Sequence, residues 1–315
     1  MRDLRILFMG TPEFATTILD HVINEDYNVV GVVTAPDKPA GRGRKIHESH
    51  VKGYAVKKGL KVLQPTNLKS EEFSEQLNEL DPNVIIVVAF RMLPKQVWQY
   101  PEYGTFNLHA SLLPQYRGAA PIHWAIINGE TTTGVSTFFI DEKIDTGEMI
   151  LQKETTITPD ETVGELHDKL MNLGCSTVTE TLKLIAEDTV TTTPQPQDTT
   201  LKTAYKLNND NTRVNWSLPV NEVYNKIRGL NPFPVAYTIL HQDNEELRMK
   251  LYKVRMQQEE HSKSPGTLNI EDSTLKIAAK DGFILVEELQ LPGKRKMAIK
   301  DLLNGFSFKE DSYVV

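Results

Sequence analysis

Val84-Ile85-Ile86-Val87-Val88-Ala89 is the stretch that decides the fold. Six apolar residues in a row, five of them β-branched, offer water neither face of a strand. Such a run belongs in a sheet covered by helices on both sides, whereas a half-exposed strand alternates apolar with polar. The segment that feeds it, residues 71–80, has helical spacing. Towards the N-terminus, residues 4–9 and 28–34 read as strands on either side of a helically spaced 14–24, and a helix around 51–59 precedes a short strand at 60–63. Towards the C-terminus, 104–109 and 134–140 add two more strands. Strands separated by helices predict an α/β fold, an open and mainly parallel Rossmann-like sheet.

Residues 162–188 carry Leu166, Leu170, Leu173, Val178, Leu182 and Ile185 at threes and fours, the spacing of a long helix. The tract that follows, residues 189–198, is rich in Thr, Pro and Gln and suits an extended linker. Beyond it, 220–228 reads as a helix. Short strand-like runs at 235–240, 247–254, 275–278 and 283–289 then favour a small β-barrel or sandwich, here expected as an OB-like barrel. The expected organisation is a catalytic domain over 1–189, a linker over 190–206 and a C-terminal β-barrel domain over 207–315.

The chain has 315 residues and a net charge of −7, with 39% hydrophobic and 24% charged residues. That balance excludes disorder as the dominant state. The single cysteine, Cys175, forms no internal disulfide and reads as a small buried hydrophobe. No apolar run of about 18 residues exists, so no membrane span is expected. The apolar start of the chain is too short for a signal peptide, and the expectation is a cytoplasmic protein. Charge is uneven: the first 190 residues carry −8 and the rest +1. A neutral-to-basic tail points mildly to a polyanionic partner and equally suits a solvated surface.

Several chemistries are absent. Gly10-Thr11-Pro12-Glu13-Phe14 lacks the glycines of a dinucleotide fingerprint, and there is no P-loop, no nucleophile elbow and no H-E-x-x-H. His47 and His50 read as loop residues, so no metal is expected. The informative segment is Asn107-Leu108-His109-Ala110-Ser111-Leu112-Leu113-Pro114-Gln115-Tyr116-Arg117-Gly118. Asn107 and His109 stand two apart at a strand end and share a face. An amide donor beside an imidazole suits an oxyanion and a mobile proton, and also suits plain bonding to a turn. A second strand ends in Asp141-Glu142-Lys143-Ile144-Asp145-Thr146-Gly147, where Asp145 could orient a histidine; Asp before a Gly turn is also common for backbone reasons.

Together these pieces resemble the folate-dependent formyltransferases, whose pattern runs N-x-H-x-S-L-L-P-x-x-x-G and then D-x-G. Supporting stretches are Gly10-Thr11-Pro12-Glu13-Phe14-Ala15, Pro36-Asp37-Lys38-Pro39-Ala40-Gly41-Arg42-Gly43, Tyr116-Arg117-Gly118-Ala119-Ala120-Pro121-Ile122, Asn231-Pro232-Phe233-Pro234 and Asp301-Leu302-Leu303-Asn304-Gly305. The resemblance covers nearly the whole chain and is strongest to members that act on charged initiator tRNA. It implies formyl transfer from 10-formyltetrahydrofolate to the α-amine of initiator methionyl-tRNA, with no metal, by a protein expected to be a monomer. It assigns Asn107, His109 and Asp145 to catalysis, and Ser111, Leu112, Leu113 and Pro114 to folate, with a cis Leu113-Pro114 bond.

Phe90, Arg91 and Met92 fall in the family's other folate segment. There Ala89-Phe90-Arg91-Met92-Leu93-Pro94 is one residue shorter than in many relatives and lacks a glycine. Arg42 matches a basic loop residue near the acceptor stem, with Arg44 and Lys45 beside it. Phe14 falls at a methionine-pocket position and reads equally as a helix-packing aromatic. The nearest alternatives are relatives acting on an amino sugar or on glycinamide ribonucleotide. The latter usually lack a barrel-like second domain of this size, and against the former the Arg42 loop and the 231–234 element favour tRNA.

Overall fold

Strand Val84–Val88 is buried at all five residues and holds the central position of a seven-stranded sheet. The computed structural model describes residues 1–40, 45–196 and 200–315. The sheet order is Met149–Thr156, Thr132–Phe139, Thr105–His109, Val84–Val88, Ile6–Gly10, Val29–Val33, Val62–Leu63. The five strands from Val62–Leu63 to Thr105–His109 pair in parallel. Thr105–His109 then pairs antiparallel with Thr132–Phe139, His109 opposite Ser136. The mainly parallel expectation therefore holds, with an antiparallel edge.

The helices follow the expected pattern at Glu13–Asn24, His50–Lys57, Glu71–Leu80 and Val163–Glu187. Ser49 and Ser70 cap the second and third of these, each accepting a backbone N–H three residues on, which satisfies an otherwise orphan donor. Phe73 and Leu77 of Glu71–Leu80 pack into a core with Leu7, Val33, Ile85 and Val87. Cys175 is buried, and burial pushes its thiol up to about 11, the behaviour of a packing residue.

Several elements go beyond the sequence reading, among them an edge strand, a helix and a two-stranded ribbon in the first 156 residues. Met149–Thr156 is an edge strand whose run of five polar residues, 152–156, hides it among loop residues. Pro121–Ile127 is a helix opened by proline at its first turn. Lys38–Ala40 and Lys45–His47 pair as an antiparallel ribbon where a loop is expected. At its base, the Lys52 ammonium bonds Asp37 and lies 3.3 Å from Glu48, while Gln64 Nε2 donates to Asp37 at 2.8 Å.

The chain divides into two compact units that interleave in sequence: 1–117, 134–155 and 169–202 form one, and 118–133, 156–168 and 203–315 the other. The second unit holds an antiparallel sheet in the order Leu268–Glu271, Thr274–Ala278, Gly282–Gln290, Glu245–Gln258, Ala236–Gln242, Tyr313–Val314. Register breaks around Lys253 bend the fourteen-residue Glu245–Gln258 strand against Gly282–Gln290, the irregularity that curls a sheet towards an OB-like form. Helix Val220–Arg228 buries Val220, Val223 and Ile227 in this unit's core with Leu251, Ile284 and Val286. The Trp216 indole donates to Thr238 Oγ1 at 2.9 Å, so the buried ring keeps a partner.

Candidate active site

All of the sequence-derived catalytic candidates lie in the first unit: His109 at the carboxyl end of Thr105–His109, where an open α/β sheet binds its ligands, Asn107 two residues before it, and Asp145 in the loop that follows Thr132–Phe139. Strand Thr105–His109 carries Asn107, half-buried, and His109, buried. Immediately after His109 the strand gives way to the loop that contains Tyr116. His109 Nε2 lies 2.8 Å from the Tyr116 carbonyl. A carbonyl only accepts, so the bond holds the proton on Nε2 and leaves Nδ1 as the nitrogen that takes up or releases one. That nitrogen faces Asp145 Oδ2 at 3.9 Å. Residues 36 apart in sequence are thus brought together as an imidazole–carboxylate pair with both side chains largely shielded from water, at 7% and 14% exposure. The Asn107 amide makes no side-chain hydrogen bond to the described residues.

Asp145 is held by its loop. Its backbone is in the left-handed region, φ 55°, which Asp tolerates better than most residues. Asp141 closes the turn by accepting from Lys143 N at 2.9 Å and from the Thr146 hydroxyl at 2.8 Å. Gly147 is required by space: a Cβ there would overlap the Phe139 carbonyl oxygen, because the loop returns directly against the strand it left. Gln195 Nε2 donates to the carbonyls of Asp145 and Gly147 at 3.0 and 2.8 Å.

The 111–114 segment is pinned from the neighbouring strands. Ser136 donates to Ser111 O at 2.7 Å and accepts from Leu113 N at 3.1 Å. Gln152 Nε2 donates to Leu113 O and to Ser136 Oγ at 2.8 and 2.9 Å. Ser111 itself is fully buried and donates to Gln115 O, and the Leu113-Pro114 bond is cis. The Ser111 hydroxyl is therefore occupied by its own loop, and the backbone of buried Leu113 by the neighbouring strands.

Residues 89–92 leave the sheet beside this segment, since Val88 pairs with Leu108. Ala89 turns the chain with φ 47°. Phe90 is half-buried, Met92 is 68% exposed, and the Arg91 guanidinium is drawn away to the carbonyls of Pro65 and Thr66. Backbone ends and a free amide around a shielded imidazole fit a pterin and its formyl group. Phe14 is 7% exposed on the first helix. Arg42 and Arg44 lie outside the described residues, and Lys45 begins the second strand of the ribbon. Among the described residues, no group of three or more His, Cys, Asp or Glu could hold a metal ion, and no helix is long and apolar enough to cross a membrane.

Tyr116 O, Ser136, Gln152, Arg117 and Gln195 are supports that the sequence does not single out. Arg117 lies inside the motif, but Gln195 lies in a tract that reads as a linker, with no local signal at all.

A mainly parallel α/β sheet with an amide, an imidazole and a carboxylate at its strand ends, together with an antiparallel OB-like unit, is the construction of a formyl transferase. The formyl transferase family model matches residues 4–182 and the formyl transferase C-terminal domain model residues 206–307, and the chain belongs to this family. It is 57% identical over 314 residues to the methionyl-tRNA formyltransferase of Flavobacterium johnsoniae and 55% identical over 315 residues to that of Flavobacterium psychrophilum, covering 100% of both chains in each case. Among solved structures, a sugar 3N-formyl transferase in the presence of dTDP and 5-N-formyl-THF matches with a TM-score of 0.66 at 20% identity, over 94% of this chain and 100% of that one. This last likeness carries the fold alone.

Proposed function

We propose that this chain transfers a formyl group from 10-formyltetrahydrofolate to the α-amine of initiator methionyl-tRNA, the activity of a methionyl-tRNA formyltransferase. The observation that carries the chemistry is the His109 Nδ1–Asp145 pair, with Asn107 on the same face of the same strand. Full-length likeness to methionyl-tRNA formyltransferases at up to 57% identity favours charged tRNA over an amino sugar or glycinamide ribonucleotide. Bound 10-formyltetrahydrofolate supplies the formyl group: a bond from the amine to the formyl carbon replaces the bond to N10, and the proton the amine loses ends on N10.

In this reading the Asn107 amide donates to the formyl oxygen as it gains negative charge, a contribution of about 3 kcal/mol for one such donor. His109 Nδ1 carries the proton, and the Asp145 carboxylate stabilises the imidazolium that forms. Ser111, Leu112, Leu113 and Pro114, with Phe90, Arg91 and Met92, border the folate. Phe14 contributes to the pocket for the methionine side chain. Arg42, Arg44 and Lys45 contact the acceptor stem. Residues 1–189 act as the catalytic domain, 190–206 as a linker and 207–315 as the tRNA-binding domain of a cytoplasmic monomer.

The test is competition. Purified protein with labelled 10-formyltetrahydrofolate is offered charged initiator tRNA, a dTDP-linked amino sugar and glycinamide ribonucleotide. Label in the tRNA alone supports the reading, and label in either small acceptor overturns it.

A further inference from the structure

We propose that Arg117 and Gln195 form a strap that positions Asp145 against His109, an inference that rests on the roles just given to those two residues. The Gln195 amide is engaged at both ends. Its Nε2 donates to Asp145 O and Gly147 O, while its Oε1 accepts from Arg117 Nε at 3.1 Å and Nη2 at 2.6 Å. A guanidinium has donors only, so it fixes which end of the amide faces it and aims Nε2 at the loop carbonyls. A charged fork on the oxygen also polarises the amide and strengthens its donation on the other side.

The strap closes a circuit. His109 Nε2 bonds the Tyr116 carbonyl, the next residue is Arg117, Arg117 grips Gln195, and Gln195 holds the backbone of Asp145, whose carboxylate faces His109 Nδ1. Both nitrogens of the imidazole are thereby referred to one frame. The tract bearing Gln195 is itself laid along the loop's exit: the Thr192 hydroxyl bonds Glu148, and Thr193 exchanges two backbone bonds of 2.9 Å with Met149. The outer side of the loop, by contrast, is open, with Ile144 59% exposed. On the inner side, Gln195 donates from its side chain to the backbone of Asp145. Neither Arg117 nor Gln195 is assigned a contact with substrate; both are positioning residues.

Gln195→Glu separates the two halves of the strap. It keeps the size and gives Arg117 a stronger partner, but it turns an acceptor towards two carbonyl oxygens. Formylation of initiator methionyl-tRNA by the full-length protein should show kcat lower by roughly 10–100-fold, with KM for both substrates within about twofold of wild type. In an Asp145→Asn background the same change should slow turnover by less than about twofold, because its effect passes through the lost carboxylate. Arg117→Lys, which keeps the charge and loses the fork, should give a smaller loss with the same dependence on Asp145. A near-normal kcat in Gln195→Glu overturns the strap, as does an equal fold-loss in both backgrounds, which marks a general structural role. Asp145→Asn turning over at the wild-type rate instead overturns the site reading beneath it.

Discussion

In the proposed reaction the chemistry turns on His109, and its usefulness there comes from what its ring nitrogens touch. One is committed to a backbone carbonyl, and the other faces a carboxylate at 3.9 Å. Asp145 reaches that position only because Gly147 lets the loop fold back on Phe139. Gly147→Ala should therefore push the loop off the strand end. The overlap is with backbone, which cannot rotate away, so a cost of about 1–3 kcal/mol in stability is expected. The larger consequence should be catalytic, a kcat at least about tenfold lower as the Asp145–His109 geometry opens. Thermal melting and steady-state kinetics on one variant check both, and an unchanged kcat would mean that the loop's return path does not set the carboxylate.

Elements set the site by where they end. Thr105–His109 delivers Asn107 and His109 to one face, and the adjacent Thr132–Phe139 sends Ser136 across to clamp the 111–114 segment. Ser136→Ala would leave the Leu113 N–H and the Ser111 carbonyl without this partner in a buried place, at about 1–3 kcal/mol. The expected result is a several-fold weaker 10-formyltetrahydrofolate affinity by equilibrium binding, and unchanged affinity would free the segment from that clamp. In the second unit, the Asp281 carboxylate accepts from Val220 N at 2.7 Å at the start of helix Val220–Arg228, and this backbone bond holds it below the ordinary carboxylate range. A lowered folded value means stability present above the ordinary value and lost as pH falls through the folded one. The melting temperature of Asp281→Ala should thus trail wild type near neutrality, with the gap closing below about pH 4; a constant gap would deny the carboxylate this part.

The parallel strands and flanking helices were legible because each carries its signal locally, an unbroken apolar run in Val84–Val88 and a helical period in Val163–Glu187. Met149–Thr156 was not, since its residues 152–156 are all polar and show no apolar–polar alternation to mark a strand. The shared face of Asn107 and His109 was legible from strand phase, while the roles expected of both, and of Asp145, came from the resemblance. Gln195 was invisible because its partners lie 78, 50 and 48 residues away and no local rule ties them together.

At the scale of the whole molecule, a chain of net charge −7 must bring a polyanion to a shielded site, and local cations have to offset the field. Arg42→Ala should weaken tRNA use far more than folate binding. If Arg42 meets a phosphate, the slope of log affinity against log salt should fall by ~0.7–0.9. If it reads the end of the acceptor stem, the slope should hold while discrimination against elongator tRNA falls. No change in either would remove Arg42 from the interface. The account's central claim is that an amide and an imidazole on one strand perform formyl transfer to charged initiator tRNA. Single-turnover formylation of initiator methionyl-tRNA at saturating 10-formyltetrahydrofolate tests it most directly, comparing wild type with Asn107→Ala and His109→Ala. The account predicts rates ~10²-fold lower or worse in each variant, with folding and folate binding retained. Turnover within a few-fold of wild type in either one would contradict it.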